Sequence, residues 1–258
     1  PPKLLYDERG SQLFVDIVQQ PEYYPPDVER KILLKEMPAI ASQLGDQPLR
    51  IIEPGAGDCK KIRDLFDGPL NVRAYVPLEI EPEIVKQTAG QLSEDYPEVQ
   101  VYAICADYMN LDKLPDDIFA GDYRTLIYFP GSSIGNYEPE EAVAVLKKLK
   151  ALSRGGAMLI GIDTQKDSAT LEAAYDDAGG VTAAFDKNVL VRLQRELDAE
   201  LEVDAFKHKS VYNTELGRVE MHLEAQQDTA IVIGDERFEF KQGETIQIGR
   251  ASCRERVF

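Results

Sequence analysis

Short apolar runs alternate with amphipathic segments from Val28 to Asp163. A short apolar run bounded by turn residues predicts a buried strand, and apolar positions three or four residues apart predict a helix with one buried face. The predicted strands are Leu49–Ile52, Asn71–Val76, Val99–Ile104, Arg124–Phe129 and Ala157–Ile162. The predicted helices are Val28–Leu44, Lys61–Phe66, Pro82–Leu92 and Pro139–Leu152. This alternation predicts an α/β fold in which a parallel, Rossmann-like sheet carries helices on both faces.

The alternation of strands and helices stops after Thr164. Two predicted helices, Lys166–Asp177 and Val181–Leu197, are followed by short apolar segments typical of a small antiparallel sheet. Those segments are Phe206–His208, Val219–Leu223, Ala230–Ile233 and Phe238–Phe240. The change of pattern predicts a second, α+β domain. Near the start of the chain, Ser11 is the predicted N-cap of one further short helix.

Composition narrows the classes of function. The chain has 258 residues, of which 43% are hydrophobic, and a net charge of −17. The charge argues against a nucleic-acid partner, since phosphate binding needs a basic face. No apolar run approaches the ~20 residues of a membrane span, and no signal peptide is visible. The three cysteines, Cys59, Cys105 and Cys253, are too scattered for a disulfide framework or a metal site. We therefore expect a cytoplasmic monomer that acts on a small molecule.

The last segment, Ile248–Phe258, resembles the translation of a sequencing-adapter read-through. We therefore expect residues 248–258 to be an artefact and exclude them from fold reasoning. The chain also begins without Met, so we expect a fragment at both ends.

The first predicted strand ends in a Gly-x-Gly turn that begins a candidate nucleotide site. Gly55 and Gly57 allow positive φ and close approach of a ligand to the backbone. A dinucleotide fingerprint requires a third glycine where this chain has Lys60, which disfavours a dehydrogenase. S-adenosylmethionine fits better, because its ammonium group suits the carboxylate of Glu53 at the strand end. A glycine-rich turn alone is common in α/β domains, so the following strand ends must decide.

Acidic residues also follow the next two predicted strands. Glu79 is placed to hydrogen-bond ribose hydroxyls. Asp107 and Tyr108 suit an adenine, with the carboxylate on the exocyclic amine and the ring against the base. Asn136, after the fourth strand, offers both a donor and an acceptor for an amine or a carboxylate. His208 and His222 have no acid partner placed by the sequence, so we expect both to be structural.

Several longer motifs resemble the histidine Nα-methyltransferases of ergothioneine biosynthesis. They are Tyr6–Phe14, Pro21–Pro25, Gly131–Asn136, Ala174–Phe185, Val219–Met221 and Gly243-Glu244. The resemblance covers the chain up to Gln247. It implies a methyltransferase (cofactor) domain of residues 28–165 and a substrate-binding domain of residues 1–27 and 166–247. It also implies that the last strands of the sheet are missing here.

The resemblance also implies which residues bind each ligand. The implied residues for S-adenosylmethionine are Gly55, Gly57, Lys61, Glu79, Asp107 and Tyr108, to which the strand-end argument adds Glu53. The implied substrate residues are Tyr6, Tyr23, Asn136, Tyr175 and Met221. A Glu-x-Ser motif that grips the imidazole is expected after Gly243-Glu244, where this chain carries the adapter-like segment.

The expected reaction is S-adenosylmethionine-dependent N-methylation of the α-amino group of L-histidine to its trimethyl betaine. A methyltransferase for another amino acid and a non-catalytic binding paralogue are the alternatives. No residue of the motifs is expected to act as a strong general base, and no metal is expected.

Overall fold

The computed structural model describes residues 2–111 and 113–253. The helices are α1 Glu8–Val18, α2 Pro25–Leu44, α3 Arg63–Phe66, α4 Pro82–Asp95, α5 Pro139–Leu152, α6 Ser168–Ala174 and α7 Val181–Leu197. The strands are β1 Leu49–Pro54, β2 Val72–Glu79, β3 Gln100–Val101, β4 Ile104–Cys105, β5 Arg124–Phe129, β6 Ala157–Ile160, β7 Phe206–Asn213, β8 Arg218–Ala225, β9 Thr229–Ile233, β10 Glu236–Phe240 and β11 Thr245–Ser252.

These residues form two compact units. The sheet unit contains residues 27–134 and 138–162, and the mixed unit contains residues 2–26, 135–137 and 163–253. The functions predicted for the two parts of the chain stay predictions.

The sheet unit is built on a parallel sheet in the order β3-β2-β1-β5-β6, with β4 also paired to β2. Strand β1 lies between β2 and β5, so both of its edges are paired. Leu49, Ile51 and Ile52 are fully buried and include residues on both faces of the strand, as expected inside a parallel sheet covered on both faces. The predicted α/β class is confirmed, and β6 lies at the edge of the sheet among the described strands.

Most predicted elements of the sheet unit differ from the structure by a few residues at one end or both, and two of these differences have a clear cause. The predicted strand Val99–Ile104 is divided into β3 and β4, because only the Tyr102 N–H continues the pairing to β2 between them, donating to Tyr75 O at 2.8 Å. The helix predicted from Lys61 begins only at α3. Residues 60–62 form a turn in which Arg63 N donates to Lys60 O at 3.3 Å, three residues back. The helical bond, four residues back, is made by Phe66 N to Ile62 O at 3.1 Å, so the α-helix starts at Arg63.

The mixed unit combines helices with two small antiparallel sheets, β11-β8-β7 and β10-β9. Strands β7 and β8 are longer than predicted. Alternate residues of β8 are buried, so polar residues lie between its apolar ones. The apolar pattern alone therefore indicated a shorter strand. Strand β11 was not predicted, and it includes residues 248–252 of the adapter-like segment, of which 249–252 pair with β8. Residues 254–258 of that segment lie outside the described residues.

The N-cap of α1 is Asp7, and the prediction of Ser11 was wrong. Asp7 Oδ1 accepts hydrogen bonds from Gly10 N at 2.7 Å and from Asn188 Nδ2 at 2.7 Å. Arg195 Nη2 lies 2.7 Å from the other oxygen of Asp7. The carboxylate therefore caps α1 and also joins it to α7, which a serine hydroxyl in the helix interior cannot do.

Among the described residues, each helix is too short or too polar to cross a lipid bilayer.

Candidate functional site

The Gly-x-Gly turn follows β1 and bonds to the neighbouring strand. Gly55 N and Ala56 N donate to Leu78 O at 2.8 and 3.2 Å. Gly55 and Gly57 have φ angles of 68° and 55°, in the left-handed region that favours glycine. A Cβ placed on either glycine would meet nothing within 4 Å. The hydrogen bonds to β2 therefore hold the turn in place, while the space beside its backbone stays open to a ligand.

Glu79, at the end of β2, is joined to this turn by hydrogen bonds. Its Oε2 accepts from Gly57 N at 2.9 Å, and its Oε1 accepts from Ile80 N at 2.7 Å. Oε1 also accepts from Glu81 N at 3.4 Å, so Oε2 is the oxygen with capacity for a further donor. The backbone thus orients the carboxylate and leaves it able to accept from a ligand hydroxyl.

Glu53 is a buried carboxyl at the end of β1, with 2% of its surface exposed. Burial raises the pKa of Glu53 to about 8, against smaller opposing effects from the Tyr75 hydrogen bond and the Lys61 charge. Tyr75 Oη donates to Glu53 Oε2 at 2.6 Å. Carboxyl groups with strongly shifted pKa values are concentrated at functional sites, where a bound cation or a reaction can offset the free-energy cost of burial.

Lys61 forms an ion pair with a residue that sequence reasoning missed. Its Nζ lies 2.8 Å from Glu29 Oε2, and Glu29 Oε1 accepts from Gly131 N at 2.6 Å. Glu29 therefore connects α2, the residues after the glycine turn and the loop after β5. No local sequence signal marks Glu29, since its partners are distant in the chain.

Asp107 and Tyr108 follow β4, which pairs with the end of β2. Asp107 accepts from Met109 N and Asn110 Nδ2, each at 2.9 Å. The Tyr108 ring meets the edge of Phe129 with centroids 6.1 Å apart. Because β1, β2 and β4 are parallel neighbours, all seven predicted cofactor residues follow or end strands on the carboxyl side of one sheet.

Three of the predicted substrate residues belong to one row of aromatic rings in the mixed unit. Tyr6 lies 5.6 Å from Phe14 and 5.5 Å from Phe185, measured between ring centroids. Phe14 lies 6.3 Å from Tyr23, and Tyr23 lies 5.8 Å from Tyr175 at an interplanar angle of 90°. Edge-to-face pairs of this kind fix ring orientation, so each tyrosine is held by the next.

The other two predicted substrate residues also belong to the mixed unit. Met221, on β8, is buried in a cluster with Leu171 and Cys253, and Tyr175 packs against that cluster. Asn136 is half-buried at the end of a short 3₁₀ turn, after Gly135. A Cβ on Gly135 would lie 2.8 Å from Ser252 O, so glycine is required there for close packing.

Two polar groups near the predicted substrate residues were not found from the sequence. Tyr24 Oη donates to Asp163, and Lys166 Nζ lies 2.8 Å from Tyr24 Oη and 2.6 Å from Asp163 Oδ1. In addition, His208 has an acid partner, since its Nδ1 lies 3.0 Å from Asp186 Oδ2. The Tyr24–Asp163 and His208–Asp186 contacts join distant segments, so spacing along the chain could not reveal them.

A cavity of about 260 Å³ lies at the amino ends of the strands, whereas the predicted cofactor residues lie at the carboxyl ends. Its lining includes Arg50, Arg124 and Arg154 near the starts of β1, β5 and β6. Arg50 is buried, with its guanidinium 5.1 Å from the Phe119 ring centroid and 5.2 Å from that of Tyr123. None of the predicted site residues lines this cavity.

The cysteines differ in accessibility. Cys59 and Cys253 are buried, and burial raises the pKa of Cys59 to about 12 and that of Cys253 to about 11. Cys105 is exposed and pairs with Glu79 in the register of β4 and β2. Across residues 2–111 and 113–253, no group of three or more His, Cys, Asp or Glu side chains is arranged to hold a metal ion.

One known protein family matches the chain over nearly its whole length. A family model described as "Histidine-specific methyltransferase, SAM-dependent" matches residues 1–253. The chain belongs to this family. The resemblance inferred from the motifs is therefore confirmed, as is S-adenosylmethionine as the family's cofactor.

Relatives of known name include three that differ in substrate or length. A histidine N-alpha-methyltransferase of Mycolicibacterium smegmatis is 36% identical over 98% of this chain and 79% of its own length. Ergothioneine biosynthesis protein 1 of Schizosaccharomyces pombe is 30% identical over 96% of this chain and 33% of its own length. An L-tryptophan methyltransferase of Psilocybe serbica is 27% identical over 91% of this chain and 73% of its own length.

Proposed function

We propose that this methyltransferase transfers methyl groups from S-adenosylmethionine to the α-amino nitrogen of L-histidine, ending at the trimethyl betaine. The observation that carries the proposal is the match of residues 1–253 to a histidine-specific family. The 36% identity to a histidine N-alpha-methyltransferase over most of both chains supports the same substrate.

The residues of the sheet unit suit S-adenosylmethionine in shape and charge. The space beside Gly55 and Gly57 can admit a ligand next to the backbone. The Glu53 carboxyl is matched to an ammonium group, because a nearby cation would lower its raised pKa and leave it ionised. Glu79 would accept from the ribose hydroxyls, and Asp107 from the adenine amine.

The residues of the mixed unit suit an amino acid whose nitrogen gains positive charge. The faces of Tyr6, Tyr23 and Tyr175 can stabilise a trimethylammonium group by cation–π attraction. Asn136 can donate to a carboxylate and accept from an amine. These are proposals about binding, and each is testable by substitution.

The chemistry requires positioning more than proton transfer by a side chain. Bound S-adenosylmethionine supplies an activated methyl group and leaves as S-adenosylhomocysteine. Orientation of the reacting nitrogen can contribute ~7–11 kcal/mol. Burial raises the pKa of Tyr175 well above its ordinary value, so its hydroxyl stays protonated and orients the amine without acting as a base. Water takes the proton that the amine releases.

Turnover and binding measurements test the proposal together. Incubation with S-adenosylmethionine and histidine should yield mono-, di- and trimethylhistidine by mass spectrometry. Calorimetry should give heat with S-adenosylmethionine and none with NAD. Binding of S-adenosylmethionine without methylated histidine at any enzyme concentration would contradict the proposed substrate.

A second candidate is methylation of another amino acid. It is favoured by the relative named as an L-tryptophan methyltransferase, which also aligns over most of this chain. Parallel assays with histidine and tryptophan decide between the two. A larger kcat/KM for tryptophan would replace histidine as the substrate.

A further inference from the structure

Arg50 is a buried cation at the amino ends of the strands in the sheet unit. It is the second residue of β1 and is 2% exposed. Its Nη2 donates to Ala120 O at 2.8 Å, and its Nη1 donates to Thr125 Oγ1 at 3.4 Å. Both acceptors are uncharged, and the buried Nε has no hydrogen-bond partner among the described residues. Burial of a charge is costly unless an opposite charge compensates it, so Arg50 is a cation in need of an anion.

The surroundings of Arg50 compensate its charge only in part. The rings of Phe119 and Tyr123 lie 5.1 and 5.2 Å from its guanidinium carbon, and an aromatic ring attracts a cation without carrying a net charge. The guanidinium of Arg154 lies 3.5 Å from the same Phe119 centroid and so brings a second cation close. Burial lowers the pKa of Arg50, the charge of Arg154 lowers it as well, and the groups that raise it are Tyr102 and Tyr123. Among the described residues, the charges that act on Arg50 therefore include no carboxylate.

The other two arginines of the cavity keep hydrogen-bond donors for a ligand. Arg124 Nη1 donates to the neutral oxygen of Leu44 at 2.8 Å. Arg154 Nη2 lies 3.0 Å from Asp116 Oδ1, but these side chains are 49% and 83% exposed, so water screens the pair. A guanidinium has five N–H donors, so neither contact uses its full capacity.

The basic lining of the cavity contrasts with the acidic composition of the chain. The chain has 46 Asp and Glu residues against 29 Lys and Arg residues. In the described part of the chain, however, the lining of this cavity includes three arginines and no acidic residue. A second cavity of about 190 Å³ shares Phe119 and Arg154 with it and adds Lys113 and Lys148, again with no acid in its described lining. A concave surface with one sign of charge attracts ions of the opposite sign.

We propose that the cavity lined by Arg50, Arg124 and Arg154 binds a small oxyanion of the phosphate or carboxylate type. The planar guanidinium group matches the oxygen atoms of both anions. The volume of about 260 Å³ lies just below the ~300–1,000 Å³ of ordinary ligand pockets, which suits an anion of few heavy atoms better than a nucleotide. The anion accepts from Arg124 and Arg154, and its charge offsets that of Arg50. This site is additional to the proposed methyl transfer, because the predicted cofactor residues lie at the carboxyl ends of the strands.

Thermal unfolding with inorganic phosphate or succinate tests whether an oxyanion binds. At ten times its Kd, the bound anion should raise the Tm by about 3–6 °C. Sodium chloride at the same ionic strength is the control for screening and should give no such rise. Phosphorus-31 NMR titration gives the Kd for phosphate directly, and the succinate arm shows whether a carboxylate binds more tightly. A Tm that responds to neither anion would overturn the proposal.

Substitutions test whether the cavity is the binding site. Arg50→Met removes the buried charge, and Arg154→Gln removes the charge of a half-exposed side chain that folding should tolerate. Each should weaken phosphate binding about tenfold and reduce the rise in Tm accordingly. Arg73→Met is the matched control, because Arg73 is an exposed arginine of β2 outside the cavity lining, and it should respond as the wild type does. If Arg50→Met does not fold, Arg154→Gln still decides, and an Arg154→Gln protein with the wild-type affinity for phosphate would overturn the proposal.

Competition with S-adenosylmethionine tests the position of the anion independently. The length of β1 separates Arg50 from the glycine turn, so the Kd for phosphate should agree within about twofold with and without saturating S-adenosylmethionine. Displacement of phosphate by S-adenosylmethionine would place the anion in the cofactor groove and overturn the proposal.

Discussion

Glu53 should lower the stability of the sheet unit at neutral pH. Its pKa is about 8 in the folded protein, against an ordinary value of 4.5. A raised pKa means that the folded state binds the proton more tightly, so this contribution to stability is complete below pH 4.5 and is lost as the pH rises through about 8. At ~1.4 kcal/mol per pKa unit, the loss is about 3 kcal/mol at pH 7 and about 5 kcal/mol above pH 8.

Glu53→Gln removes this loss and keeps the shape of the side chain. The amide oxygen can still accept from Tyr75 Oη, but the side chain no longer titrates. The variant should exceed the wild type in free energy of unfolding by about 3 kcal/mol at neutral pH, and the difference should vanish toward pH 4.5. Its affinity for S-adenosylmethionine should fall about tenfold or more, because a neutral amide attracts an ammonium group weakly.

Urea unfolding followed by circular dichroism, between about pH 5 and 9, measures the first effect. Calorimetric titration with S-adenosylmethionine measures the second. Glu98→Gln is the matched control, because Glu98 is exposed and should leave both quantities unchanged. Unfolding free energies of Glu53→Gln and wild type that run parallel across the whole pH range would refute the reasoning.

Three further substitutions test other parts of the structure. Gly57→Ala should destabilise the protein by about 1–2 kcal/mol, because the φ of 55° at Gly57 is unfavourable for alanine. Gly90→Ala, in the interior of α4, is the control and should stabilise the protein by up to about 1 kcal/mol. Equal effects of the two substitutions in thermal unfolding would contradict this. Asp7→Ala should cost about 1–2 kcal/mol through loss of the cap and of the Arg195 pair. Burial raises the pKa of Asp7, but its hydrogen bonds lower the pKa overall, so the wild type should lose the stability that Asp7 provides as the pH falls below the ordinary pKa of 3.8. Acid unfolding of the wild type and Asp7→Ala at the same midpoint would count against this role of Asp7. Asn136→Ala should abolish turnover with the Kd for S-adenosylmethionine nearly intact, and unchanged turnover would remove Asn136 from the site.

The parts of the fold that were predicted are those in which the hydrophobic pattern is local and unbroken. Strand β5 and helices α5 and α7 have the predicted bounds. Helix α5 begins with proline and acidic residues and has a lysine in its last turn. Propensity, capping and burial therefore indicate the same limits for this helix. The family was predicted for a similar reason, because its motifs are contiguous stretches of sequence.

The parts that were not predicted depend on contacts between distant residues. Asp7 caps α1 through a local bond, but its junction with α7 depends on Asn188 and Arg195, which reach the same carboxylate. Glu29 and the Asp186–His208 pair likewise acquire their partners only when separate segments fold together. Sequence spacing records the residue types but not these neighbours. Tertiary contacts therefore explain most of what sequence reasoning missed in the candidate site.

The unequal exposure of the cysteines makes the protein suitable for selective labelling. Cys59 and Cys253 are buried with raised thiol pKa values, so a maleimide dye should react first with Cys105. Cys105 stands beside Glu79 in the sheet register. A fluorophore attached there, without any engineered cysteine, would test the proposed position of S-adenosylmethionine beside Glu79.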